Sequence, residues 1–402
     1  MGDFYQTGVI TTLHRLGRRG PRALEAELRE YARHKPIALL LPSLYQEIEG
    51  PALPRILEAL RDVDYVHEIV VTLGRADAEQ FARAREFFGA LPQRTRILWN
   101  DGPRIQALYA ELEREGISAG EEGKGRAVWL GFGLVLAEET VRAIALHDCD
   151  ILTYSSDIVA RLCYPLVNPS FSYEYAKGYY ARVTDRLHGR VTRLFVTPLV
   201  RTLQRLANHH PFLHFLDSFR YPLAGEFGLS TELARAVRIP SDWGLEVGFL
   251  AEVYRNYSAR RICEVDLLDA YDHKHQDVSE DDPTKGLTKM AVDIAKSIFR
   301  TLASEGIPLY EGFFRTLKAA YLRAAEDQIR RYNDDAAING LVYVRHEEGK
   351  TVEAFLRALE IASKQVLEDP LGTPLIPNWN RVTSAIHDFP ARLHEAVEED
   401  NR

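Results

Sequence analysis

Between residues 36 and about 150 the sequence alternates short β-forming runs with stretches of helical period, and this alternation constrains the fold more than any other feature. The β-type runs are 37–41, 68–73, 95–99 and 143–147, and the amphipathic stretches between them are 53–60, 77–91, 105–115 and 127–137. Strand followed by helix followed by strand builds a mostly parallel sheet covered on both faces. The expected class is therefore an open α/β domain rather than a barrel.

The remainder of the 402 residues is enough for a second lobe or a helical appendage. Residues 1–35 read as an N-terminal packing segment, and 36–150 as the ligand-binding α/β domain. Residues 151–285, irregular and aromatic with Tyr173, Tyr175, Tyr179 and Tyr180, read as a second pocket wall. Helical period returns at 230–237, 244–255, 287–304 and 310–332, and again at 352–367 and 382–398, so 286–402 is expected to be a helical region that packs on the body or joins two copies as a homodimer. The acidic stretch 276–285 is expected to be a loop.

Composition excludes several partners. A formal charge of −8 leaves no surplus of Lys and Arg for general nucleic-acid binding, so any phosphate recognition is local. Three cysteines without paired spacing suit a reducing compartment, and no apolar stretch is long enough for a signal or anchor. A cytoplasmic protein without a membrane partner is expected.

The run VRAIAL leads directly into His147-Asp148-Cys149-Asp150, which places two carboxylates at the carboxyl end of a strand, the edge where open α/β sheets bind ligands. Residues two apart in extended chain face one side, so Asp148 and Asp150 can address one ligand. Their hard oxygens suit Mg²⁺ or Mn²⁺, an ion that would neutralise a diphosphate. Taken alone, the triplet reads more readily as a solvated loop after a buried strand. Gly123-Lys124-Gly125 adds a cation at the start of a helix, where backbone N–H groups favour anions.

The ordered series LLLPSLYQE, GKGRAVW, DCD, KGYY, GRVTRL, PLAGEF, GLEVGFL and EVDLLDAYDHKHQ resembles the glucosyl-3-phosphoglycerate synthases and their mannosyl-3-phosphoglycerate relatives from about residue 36 to 275. The resemblance implies a retaining glycosyltransferase of the GT-A fold. Its expected substrates are a nucleoside-diphosphate sugar and 3-phosphoglycerate, with Mg²⁺ or Mn²⁺ as cofactor. It implies donor binding by Pro42, Leu44, Glu47, Gly74, Lys124, Asp148 and Cys149, with Glu47 on the uridine or ribose side. It places the metal on Asp150 and His273, with His275 as the alternative ligand and an acceptor-side residue.

For the acceptor, Gly189, Arg190 and Thr192 match the segment that grips its phosphate and carboxylate, and Glu246 matches a glutamate that holds its hydroxyl. Asp150, Lys124 and Glu246 are the expected catalytic set. Cys149 stands where a small residue is usual, and 72–77 departs from the family's loop. A mannosyl donor, unphosphorylated glycerate as acceptor, and a non-catalytic nucleotide-sugar-binding scaffold are the competing readings.

Overall fold

The computed structural model describes residues 6, 8–17, 20–272 and 285–402. Among the described residues eight strands form one sheet, β1 (Thr11–Leu13), β2 (Ile37–Leu44), β3 (Glu68–Gly74), β4 (Thr95–Trp99), β5 (Ala143–Leu146), β6 (Tyr175–Tyr180), β7 (Phe227–Ser230) and β8 (Ile262–Leu268), in the order β1-β8-β6-β7-β5-β2-β3-β4. Every neighbouring pair is parallel except the two made by β7, which runs against β5 and β6. The carboxyl ends of the other strands therefore gather at one edge, where the amino end of β7 also lies.

The strands are nearly continuous apolar runs because both faces are covered. In β2, Ala38 and Leu40 enter one core while Ile37, Leu39 and Leu41 enter the other. Helices Pro21–Tyr31, Ala52–Leu60, Ala78–Phe88 and Ser156–Val167 cover the second face. Helices Pro103–Arg114, Lys124–Ala137 and Leu245–Asn256 cover the first. Asp77 caps Ala78–Phe88 in a reciprocal capping box with Gln80, which stops that helix from starting earlier.

The long helices Gly286–Ser304, Glu311–Ile338 and Arg345–Glu368 share the first core through Phe299, Phe314, Tyr321 and Phe355. Trp379 stacks on Trp129 with ring centroids 4.7 Å apart, and each indole N–H finds a backbone carbonyl. This approach needs Gly133, where an added Cβ would stand 1.9 Å from the Trp379 ring.

Two sequence expectations change in detail. The single helix expected at 382–398 is two helices, Trp379–Ala385 and Phe389–Asn401, broken where Pro390 opens the second as a first-turn proline. The irregular 151–285 stretch contains three sheet strands: β8 falls on the β-like run 259–268, whereas β7, Phe-Gly-Leu-Ser, is a short strand interrupted by glycine that carries no apolar run. Among the described residues no helix is long and apolar enough to cross a membrane.

Candidate active site

A cleft of about 950 Å³ opens at the carboxyl edge of the sheet. Pro42, Leu44, Glu47 and Gly74, expected from the sequence on the donor side, lie at or just beyond the ends of β2 and β3 and line it together with Lys124 and the 148–150 triplet. Gly189, Arg190 and Glu246 line it as well. Thr192 is set apart: it lies inside a wide π-type turn, 191–196, with its hydroxyl buried and without a hydrogen-bond partner among the described residues. His273 and His275 lie outside the described residues, as does 276–284 of the expected loop. Asp272, immediately before His273, is tied by its backbone to Leu152 and Thr153, just beyond Asp150.

Lys124 organises the cleft. It is the first residue of Lys124–Ala137, so its side chain and the unbonded N–H groups of the first turn face the same edge. Its Nζ stands 2.7 Å from Asp148 Oδ1 and 3.2 Å from Glu246 Oε1. Burial opposes the ammonium charge, but Asp148 and Glu246 outweigh it and hold the Lys124 pKa above its usual range. Glu246 occupies the first turn of Leu245–Asn256, a favourable place for a carboxylate, and Asp242 fixes that turn by accepting from Gly244 N–H at 2.9 Å.

Two glycines permit the geometry, though not through close approach to a ligand. A Cβ on Gly225 would stand 2.1 Å from Asp148 Oδ2, so the bare backbone ahead of β7 lets Asp148 reach Lys124. Gly125 makes room for protein as well: a Cβ there would lie 2.0 Å from the Pro240 carbonyl oxygen.

Negative charge exceeds positive in this part of the cleft. Burial, and then the Asp148 charge, push the Asp150 carboxyl up to about 7. Behind it Glu226, fully buried, accepts from Tyr180 at 2.6 Å and from Tyr271 at 2.9 Å, and burial raises its pKa too. The two tyrosine rings stack with centroids 3.7 Å apart. Lys177, buried on β6 opposite Phe227 of β7 and donating to the Ala224 carbonyl at 2.7 Å, has its pKa lowered to about 8 by burial. Cys149 is buried and its thiol is pushed up by burial, which keeps it protonated and unreactive. Crowded hard-oxygen donors of this kind fit a divalent cation.

The opposite wall is basic, and apart from Gly189 and Arg190 it was not read from the sequence. Arg182, Arg186 and His188 line it beside Arg190. Arg182 donates to Tyr221 at 3.1 Å, while its Nε is buried without a hydrogen-bond partner among the described residues. Gly189 has φ +71°, a left-handed conformation that suits glycine, and packs against Tyr221. The signal in the sequence was arginine at every fourth position, 182, 186 and 190, but it falls in a segment without helical period.

Among the described residues, one group of three metal-ligating side chains was found within ligand reach, Glu138, His394 and Glu398. It lies at the far end of Lys124–Ala137, about 20 Å from the cleft at the rise of a helix. Arg94 already pairs with both of these glutamates, so the cluster is a salt-bridge network that docks the last helix.

No protein-family profile matches the chain. It is 48% identical over 401 residues to the glucosyl-3-phosphoglycerate synthase of Persephonella marina, covering 100% of this chain and 99% of the relative. It is 40% identical over 399 residues to the glucosyl-3-phosphoglycerate synthase of Methanococcoides burtonii, covering 98% and 97%. Among solved structures, the mannosyl-3-phosphoglycerate synthase of Rubrobacter xylanophilus aligns with a TM-score of 0.55 at 18% identity, over 75% of this chain and 83% of that one. The Mycobacterium tuberculosis glucosyl-3-phosphoglycerate synthase, in complex with Mn²⁺, uridine-diphosphate-glucose and phosphoglyceric acid, aligns with a TM-score of 0.51 at 23% identity, over 74% and 88%. The structural likenesses show that the fold is the GT-A-like α/β fold expected from the sequence. The two full-length identities show that the chain belongs to the glucosyl-3-phosphoglycerate synthase family.

Proposed function

We propose that the chain transfers a glucosyl unit from a nucleoside-diphosphate sugar to the 2-hydroxyl of 3-phosphoglycerate, with retention of anomeric configuration. The observation that carries this reading is Lys124, a cation held between Asp148 and Glu246 at the sheet edge where the donor-side and basic walls meet. Full-length relatives that are glucosyl-3-phosphoglycerate synthases support it.

In this reading the diphosphate lies over the first turn of Lys124–Ala137, where the N–H groups and the Lys124 ammonium meet the charge that grows on the leaving oxygen. Asp150, with His273, would hold Mg²⁺ or Mn²⁺, which when bound neutralises diphosphate charge. Glu246 orients the acceptor hydroxyl, and Arg190 with the basic wall takes the acceptor's phosphate or carboxylate. The acceptor oxygen bonds to the anomeric carbon as the bond to the diphosphate breaks, and the hydroxyl proton passes to a diphosphate oxygen on the same face. The carboxylate nearest Lys124, Asp148, is already engaged by that cation, which disfavours it as a covalent nucleophile.

The test is a panel of nucleoside-diphosphate glucose and mannose donors, each with 3-phosphoglycerate, D-glycerate or no acceptor, in the presence of Mg²⁺. Release of nucleoside diphosphate is read together with the product's anomeric coupling by NMR. An α-glucosyl group on the 2-oxygen of 3-phosphoglycerate is expected. Preference for mannose or free glycerate would reassign the substrates, hydrolysis independent of acceptor would contradict transfer, and binding without turnover would favour a scaffold.

A further inference from the structure

The basic wall at 182–190 has a second side, and the C-terminal helices cover it. Val342, in the link between Glu311–Ile338 and Arg345–Glu368, donates its N–H to the Asp185 carbonyl at 2.9 Å and pairs in parallel with Arg186. Arg193 donates to the His188 carbonyl at 2.8 Å and lays its guanidinium 4.8 Å from the Tyr332 ring centre. Between them, Glu348 reaches in from the first turn of Arg345–Glu368 with a side chain only 5% exposed. Arg190 Nε donates to its Oε1 at 2.8 Å, and its Oε2 lies 3.0 Å from Arg193 Nη2.

We infer that Glu348 is a positioning residue for the acceptor subsite, and that the C-terminal helices are thereby part of that subsite. Arg190 alone is a long side chain with many rotamers, and binding an anion with it costs the entropy of choosing one. Glu348 holds the guanidinium by its Nε, leaving the two terminal nitrogens uncommitted to Glu348 on a side chain that remains 37% exposed and lines the cleft. Because Glu348 faces two arginines, one positive charge remains for the acceptor. A buried carboxylate is costly unless paired, so the two arginines also keep Glu348 in place, and the arrangement is mutually supporting.

The inference rests on Arg190 binding an anionic group of the acceptor, and a kinetic cycle separates the two claims. Steady-state turnover is measured for Arg190→Ala, Glu348→Gln and the double variant, varying acceptor and donor separately, with thermal unfolding alongside. Arg190→Ala is expected to raise the acceptor KM about ten- to hundredfold, the worth of a charge-assisted hydrogen bond. Glu348→Gln is expected to raise it about tenfold, as outer partners of ligating side chains do, with the donor KM unchanged and no further loss in the Arg190→Ala background. Glu348→Asp, which keeps the charge but withdraws it, should give the same selective rise if the Gln variant does not fold. An unchanged acceptor KM in Arg190→Ala overturns the Arg190 assignment. With that effect present, a wild-type acceptor KM in both Glu348 variants, an additive loss in the double variant, or an equal decline of all constants with unfolding overturns the inference about Glu348.

Discussion

A hydrogen atom in place of a methyl group decides where Asp148 can stand. Gly225 leaves space for its carboxylate, and Lys124 meets that carboxylate at 2.7 Å. Gly225→Ala should therefore displace Asp148 and lower kcat/KM about tenfold or more, read by steady-state kinetics, because misplacing a group near the reacting atoms is costly. Lys124→Met keeps the length of the side chain and removes the charge, and is expected to cut kcat by about 10²–10³, with the folded state retained by circular dichroism. A variant that turns over at the wild-type rate would show that the diphosphate leaves without Lys124. Residues with a local signature were legible: Lys124 opens a helix after glycine, and Asp148 and Asp150 close a strand. Arg182 carried no such signature, because its place in the wall is set by Tyr221, thirty-nine positions away.

At the scale of elements, the last helix is docked by charge as well as by apolar contact. Glu138 accepts from Arg94 and Arg96 lies nearby, while His394 approaches it from Phe389–Asn401. Hydrogen bonds from Arg94 lead the causes that hold the Glu138 carboxyl down to about 2. A folded-state pKa below the unfolded value contributes stability above about pH 4.5, and that contribution is lost as the pH falls toward 2. Glu138→Gln is thus expected to destabilise the protein at pH 7 by roughly 1–2 kcal/mol after solvent screening, with the gap from wild type narrowing as the pH falls from about 4.5 toward 2 in urea titrations. A gap constant with pH would show that the network does not depend on that charge. Such elements were legible wherever period and length agreed, as in β2 to β5 and the helices between them. Strand β7 was not, because Phe-Gly-Leu-Ser forms no apolar run of the kind that marks the equally short β5.

Across the whole molecule, the helices beyond 286 belong to the same core as the sheet, and Trp129 with Trp379 joins them. Trp379→Ala should cost about 3–5 kcal/mol by urea unfolding, since a fully buried indole and its hydrogen bond are lost together. The amphipathic stripes of these helices announced that they pack, but a stripe does not name its partner, so their contact with the basic wall emerged only from the fold. That contact and the Lys124 centre place opposite sides of one cleft under control of the sheet edge and the C-terminal helices. The measurement that tests this account most directly is release of nucleoside diphosphate from a nucleoside-diphosphate glucose, with and without 3-phosphoglycerate, by the wild type and by Asp150→Asn under saturating Mg²⁺. The account predicts acceptor-dependent release by the wild type and a loss of at least about a hundredfold in kcat by the folded variant. Near-wild-type turnover by Asp150→Asn, or release indifferent to 3-phosphoglycerate, would contradict it.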